Sequence, residues 1–139
     1  MSKTVANINL EHTSRQLGAL GDLALSMTGF GYTNIRDYFS ASDLKPTDSK
    51  ESEPFFTRSD NVVFAEAGVP STSFSAVYLF PDYHQPGDEW QKVDFDGMAR
   101  VTNSILQGVL NLANSVDTPS WNKGNPRTAP YAKARSGAK

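Results

Sequence analysis

Residues 4–10, TVANINL, alternate: Ala6, Ile8 and Leu10 fall on one face, Val5, Asn7 and Asn9 on the other. A period of two predicts a half-buried strand. Residues 22–28, DLALSMT, are a weaker strand candidate inside a glycine-rich stretch holding Gly18, Gly21, Gly29 and Gly31. Thr33 is placed to cap a helix through Ile35, Tyr38 and Phe39 to about Ser42. Residues 43–54 are polar and predict a loop. Ser59, followed by Asp60 and then Val62, Val63 and Phe64, predicts a short helix over 60–67 that Gly68 and Pro70 end.

A second apolar run at 69–78 predicts another strand. Asp94 then caps the longest element, a helix over 94–114 whose Phe95, Met98, Val101, Ile105, Val109 and Leu112 recur at threes and fours. That stripe reads as packing rather than a cofactor box. From Val116 the chain turns to Pro119, Pro126 and Pro130 with Lys123, Arg127, Lys133, Arg135 and Lys139, which predicts a disordered basic tail over 116–139 after a domain of 1–115.

Composition narrows the functional classes. A chain of 139 residues is enough for one core. A formal charge of -2 gives no reason to expect nucleic acid or an anionic membrane as partner, and no run approaches the length of a membrane span. The first residues lack the apolar core of a signal peptide. Cysteine is absent, which removes disulfides, thiolate metal sites and cysteine nucleophiles and leaves the compartment open.

The candidate chemistry gathers in residues 79–90, LFPDYHQPGDEW, just past the second apolar run. His84 lies between Tyr83 and the Pro86-Gly87 turn, with Asp82, Asp88 and Glu89 around it. An imidazole on a rigid loop with carboxylates to orient its second nitrogen suits a metal ligand. A surface histidine in an acidic turn is the plainer explanation. Glu11 and His12 end the first strand, where open α/β sheets place ligands, and Asp60 opens a helix between the two segments. Carboxylate and imidazole are both zinc ligands, yet a catalytic zinc normally takes three from protein. A serine triad of Ser59, Asp60 and His84 is disfavoured because a helix cap already explains Ser59. There is no GxSxG elbow, phosphate loop, HExxH or dinucleotide fingerprint.

RSDNVVFAEAGVPSTSFS followed by PDYHQPGDEWQKVDFDGMARV resembles the C-terminal half of the zinc-dependent aminopeptidases, a family that includes glutamate carboxypeptidases and, distantly, glutaminyl cyclases. NINLEH at residues 7–12 is similar to that family's strand ending in an acidic metal ligand. The resemblance implies a three-layer α/β/α zinc-exopeptidase fold with a mostly parallel sheet, here with its N-terminal half missing. It implies Glu11 and His84 as ligands of different zinc ions, and Asp60, Tyr83 and Asp88 in supporting or substrate-side roles. It also implies peptide hydrolysis by a metal-activated water. The family's first histidine, bridging aspartate and glutamate pair precede the NINLEH strand, and one of those glutamates is the general base. Their positions lie before Met1, so the chain is expected to be a truncated, split or mis-started product, inactive alone.

Two other readings stand beside this one. The first is a non-catalytic binding module or decayed relic on the same half-fold; the second, ranked lower, is glutaminyl-cyclase-like acyl transfer. The partner implied is a peptide substrate once the site is completed. A first strand without its neighbours predicts self-association through an exposed sheet edge. The family implies a secreted or periplasmic full-length enzyme.

Overall fold

In the computed structural model, which describes residues 3–15 and 25–137, every residue of the strand Ser71–Ser75 is buried. Four strands form one sheet: β1 (Asn7–Leu10), β2 (Leu25–Met27), β3 (Pro46–Thr47) and β4 (Ser71–Ser75), in the order β1-β4-β2-β3. β1 runs parallel to β4 with Asn7 opposite Ser71 and Leu10 opposite Phe74. β2 lies antiparallel to β4 and parallel to β3. The strand run expected at 69–78 pairs only through Ser75, because beyond it the backbone turns to deliver Tyr78 and the following loop. The first strand is likewise shorter than the alternation from Thr4. Residues 22–24, Gly18 and Gly21 lie outside the described residues.

The two faces of β4 differ chemically, and so do the layers that cover them. Phe74 points into an apolar core with Leu25, Met27, Ile35, Phe39, Leu44, Val101 and Ile105, and its ring meets Phe39 at 4.7 Å. That face is covered by α2 (Phe95–Ala113) and by a 3₁₀ turn, Ile35–Phe39. On the opposite face Ser71 Oγ donates to the Asn61 carbonyl oxygen (2.9 Å), docking α1 (Asn61–Glu66). Helix, sheet and helix make three layers, as the family resemblance implies.

Several local expectations are corrected. The segment after Thr33 is a 3₁₀ turn rather than an α-helix; its cap position is Asn34, and Thr33 Oγ1 accepts from the Ile35 N–H at 3.3 Å. The cap position of α1 is Asp60, one residue past Ser59, and its side chain caps nothing. Gly68, at φ 83°, ends α1 as expected, with its N–H on the Ala65 carbonyl and the Val69 N–H on that of Phe64. The polar stretch 43–54 contains β3, the buried Leu44 and the start of a 3₁₀ turn (Glu53–Phe55).

Asp94 does cap α2, accepting from the Gly97 N–H at 3.0 Å. Of the predicted stripe, Val101 and Ile105 are buried and Met98, Val109 and Leu112 half-buried, whereas Phe95 is 58% exposed because it sits in the first turn. Ser104 and Gly108 complete the buried face, since the Phe39 ring lies against the helix backbone there.

The expected disordered tail is also corrected. Trp121 is buried, donates from Nε1 to the Gly68 carbonyl oxygen (2.9 Å) and packs with Tyr32, Phe56, Ala65 and Tyr131. A 3₁₀ turn (Pro126–Thr128) and α3 (Ala129–Gly137) follow. Two aromatic anchors outweigh a basic, proline-containing composition.

A Cβ on Gly108 would stand 2.2 Å from the Phe39 ring. Gly108→Ala is therefore expected to destabilise the protein by about 1–3 kcal/mol through overpacking, read as a lower midpoint in urea. Trp121→Ala is expected to cost about 3–5 kcal/mol, and an unchanged urea midpoint would show that the segment after Val116 is not part of the folded unit.

Candidate active site

Because β1 and β4 are parallel, their carboxyl ends lie at the same edge of the sheet, and the candidate residues leave from there. The Glu11 N–H continues the ladder to the Phe74 carbonyl oxygen (2.9 Å). Its carboxylate accepts from Asn9 Nδ2 at 2.7 Å, and the same amide donates to Ser73 Oγ at 2.9 Å. The His12 carbonyl oxygen takes the Ala76 N–H at 3.0 Å. The polar face of β1 and β4 thus fixes Glu11 before any ligand is considered.

Tyr78 stands beside this group. Its hydroxyl donates to the Ser73 carbonyl oxygen (3.1 Å) and its ring stacks on Phe55 at 4.7 Å. Burial, then the nearby negative charge of Glu11, pushes the phenol upward in pKa, so it stays protonated.

The loop after β4 is a series of tight turns, with N–H groups of Tyr83, Gln85 and Asp88 bonding three residues back. His84 is exposed and has φ 58°, the single positive value at a non-glycine residue among those described. Such a backbone persists only where its surroundings hold it. Those surroundings are aromatic: the Tyr83 ring lies 4.0 Å from that of His84, and His12 meets Tyr83 edge-on at 5.1 Å and Phe80 at 5.3 Å. Tyr83 therefore connects the segment of Glu11 to that of His84.

An ionic latch reinforces the connection. Arg15 pairs with Asp82 and faces Asp88 at 3.4 Å, while its guanidinium lies 4.5 Å over the Phe80 ring. Lys92 takes the other oxygen of Asp82. The Lys92 ammonium does most to hold the Asp82 carboxyl down at about 2; partial burial opposes this and Arg15 adds to it.

Tyr83 touches both His84 and His12, the neighbour of Glu11, and Asp88 is turned to Arg15. Asp60 is exposed at the start of α1, and no hydrogen bond or ion pair among the described residues ties it to this edge. Sequence reasoning missed Arg15 and Tyr78 and gave His12 no role. Arg15 and Asp82 are far apart in the chain, so only opposite charge at two strand ends hinted at their pairing.

Zinc is the ion this donor chemistry would suit, but the described residues do not fit a complete site: no group of three or more His, Asp or Glu among them is placed to hold a metal ion. Glu11 already accepts a hydrogen bond, Asp82 is committed to two cations, and the buried His12 Nδ1 has no hydrogen-bond partner and is enclosed by rings.

Peptidase family M28 matches residues 1–109. The chain belongs to that family. No curated protein and no solved structure matches it. The match runs from β1 through most of α2 and so includes the loop carrying His84, which makes hydrolase and peptidase the coarse functional class of this M28 chain.

The Asp82 carboxyl has a folded value of about 2, below its ordinary value near 3.9. The latch is therefore intact above about pH 4 and lost as pH falls from there toward 2. Asp82→Asn should reproduce the acid state at neutral pH: amide exchange of residues 79–92 accelerates while that of α2 is unchanged. Equal exchange in the loop of both proteins would remove the latch from the account.

Proposed function

We propose that this chain supplies one side of an aminopeptidase-type exopeptidase site, with Glu11 and His84 as its zinc-facing ligands, and that it does not hydrolyse peptides alone. The observation that carries this reading is the strained His84 backbone, held by Tyr83 and the Arg15–Asp82 latch at the same sheet edge as Glu11. Strain of about 1–3 kcal/mol is retained where the surrounding structure over-determines it, commonly at functional sites. Membership of the M28 family supports peptide-bond hydrolysis as the chemistry.

The same geometry supports inactivity of the isolated chain. Hydrolysis needs a carboxylate free to take a proton from the attacking water. Asp82 is neutralised by Arg15 and Lys92, and Asp88 faces Arg15. Tyr83 and Asp88 then act on the substrate side, by bordering His84 and by helping Arg15 hold the loop. Asp60, at the head of α1, takes a supporting part at most.

A second reading is favoured by one observation. Glu11 has its hydrogen-bond partner within the chain, so the edge is self-consistent as a non-catalytic peptide-binding module with His84 organising its loop.

The purified chain is expected to show no turnover of aminoacyl anilides, with or without added zinc. Glu11→Gln and His84→Ala should each weaken zinc binding measured by calorimetry. Chelator-sensitive turnover by the chain alone would overturn the proposal. Zinc affinity indifferent to both substitutions would favour the binding module.

A further inference from the structure

The segment from Trp121 onward follows the matched residues 1–109 and is built onto the fold by its own contacts. Trp121 bridges antiparallel to Thr33, and the Asn122 N–H donates to the Tyr32 carbonyl oxygen at 2.7 Å. From there the segment grips the turn Glu53–Phe55 at its first residue and at Phe56, its C-terminal cap position. The Arg127 guanidinium pairs with the Glu53 carboxylate, and the Tyr32 hydroxyl donates to the same oxygen at 2.7 Å. Tyr131, itself stacked on Trp121 at 5.2 Å, meets the Phe56 ring at 5.7 Å. Phe55, between these two grips, has a different neighbour: its ring stacks on Tyr78 at 4.7 Å, 24° from parallel. Tyr78 carries the contact on to the candidate site. Its hydroxyl donates to the Ser73 carbonyl oxygen at 3.1 Å, Ser73 Oγ accepts from Asn9 Nδ2, and that amide holds the Glu11 carboxylate.

We propose that residues 121–131 brace the candidate site, with Arg127 as the positioning residue that seats Phe55 on Tyr78 and so steadies Glu11. The brace deepens the reading of Glu11 as a zinc-facing residue and takes its functional meaning from that reading. Magnitudes separate bracing from plain stabilisation. An ion pair as open as this one, with the Arg127 side chain 66% exposed and that of Glu53 32%, contributes little to global stability. What it does is select one orientation of a short turn, because the buried Tyr32 holds the same carboxylate oxygen from the other element. A single 3₁₀ turn has few bonds of its own, so the direction of Phe55 follows that of Glu53.

Contiguous contacts carry coupling only where substitutions at the two ends interact, which a double-mutant cycle measures. The readout is amide exchange of Glu11, whose N–H donates to the Phe74 carbonyl oxygen, and of Ala76, whose N–H donates to that of His12. Arg127→Ala is expected to speed both several-fold, leave the amides of α2 unchanged and barely move the urea midpoint. Arg127→Lys should restore most of the protection. Tyr78→Phe, which keeps the ring and removes the bond to Ser73, should speed the same two amides. With Tyr78→Phe in place, Arg127→Ala should add nothing further. By calorimetry Arg127→Ala should also weaken zinc binding. Unchanged exchange of Glu11 and Ala76 in Arg127→Ala overturns the proposal, as do effects that simply add in the double variant. Equal acceleration in α2 with a lower urea midpoint overturns it too, since that marks general destabilisation. Zinc affinity indifferent to Arg127, in a wild-type chain that binds zinc, reduces the contact to packing and overturns it. If the wild-type chain binds no zinc while both amides still respond to Arg127, the zinc reading fails and the brace on Tyr78 stands.

Discussion

The buried strand β4 is the constraint on which the other elements depend. A strand with neighbours on both sides and layers on both faces must satisfy every polar group internally. Four of the five residues of STSFS carry hydroxyls, and these do that work. Thr72 Oγ1 donates to the Thr28 carbonyl oxygen, Thr28 Oγ1 accepts from the Ser73 N–H, and Ser71 Oγ reaches α1. The first two hold Thr28, just past β2, against the strand, and the third holds α1. Only Phe74 contributes a large apolar side chain, and it sets where the main core lies.

This division of faces explains why the candidate site has the character it does. The side bearing Asn7, Asn9, Ser71 and Ser73 is a hydrogen-bonded surface that leads directly to Glu11. The loop after β4 cannot rest on an apolar core there, so it is held by rings and charges instead: Phe80, Tyr83 and His12 in edge contacts, and Arg15 between Asp82 and Asp88. Interactions of this kind are directional, which is what an imidazole held at positive φ needs.

Among the described residues, β1 pairs only with β4. A groove lies between β1 and α2, beside Ile8 and Leu10.

Sequence by itself determined the elements whose signals are local. Alternation located β1, the apolar run located β4, Asp94 announced the start of α2, and Gly68 the end of α1. The run from Arg58 to Val101 and the NINLEH strand resembled the peptidase family closely enough to place the chain in it. Tertiary structure alone decided the rest. Trp121 and Tyr131 order a segment whose composition reads as disordered, since burial of an aromatic anchor depends on what faces it. Gly108 belongs to the core because Phe39 packs on it, and Phe95 does not because its turn projects past the core. The Arg15–Asp82 latch joins residues 67 apart, and no local pattern encodes such a contact. Periodicity and capping act within a few residues of chain, whereas rings, ion pairs and close packing act across the distances that only folding removes.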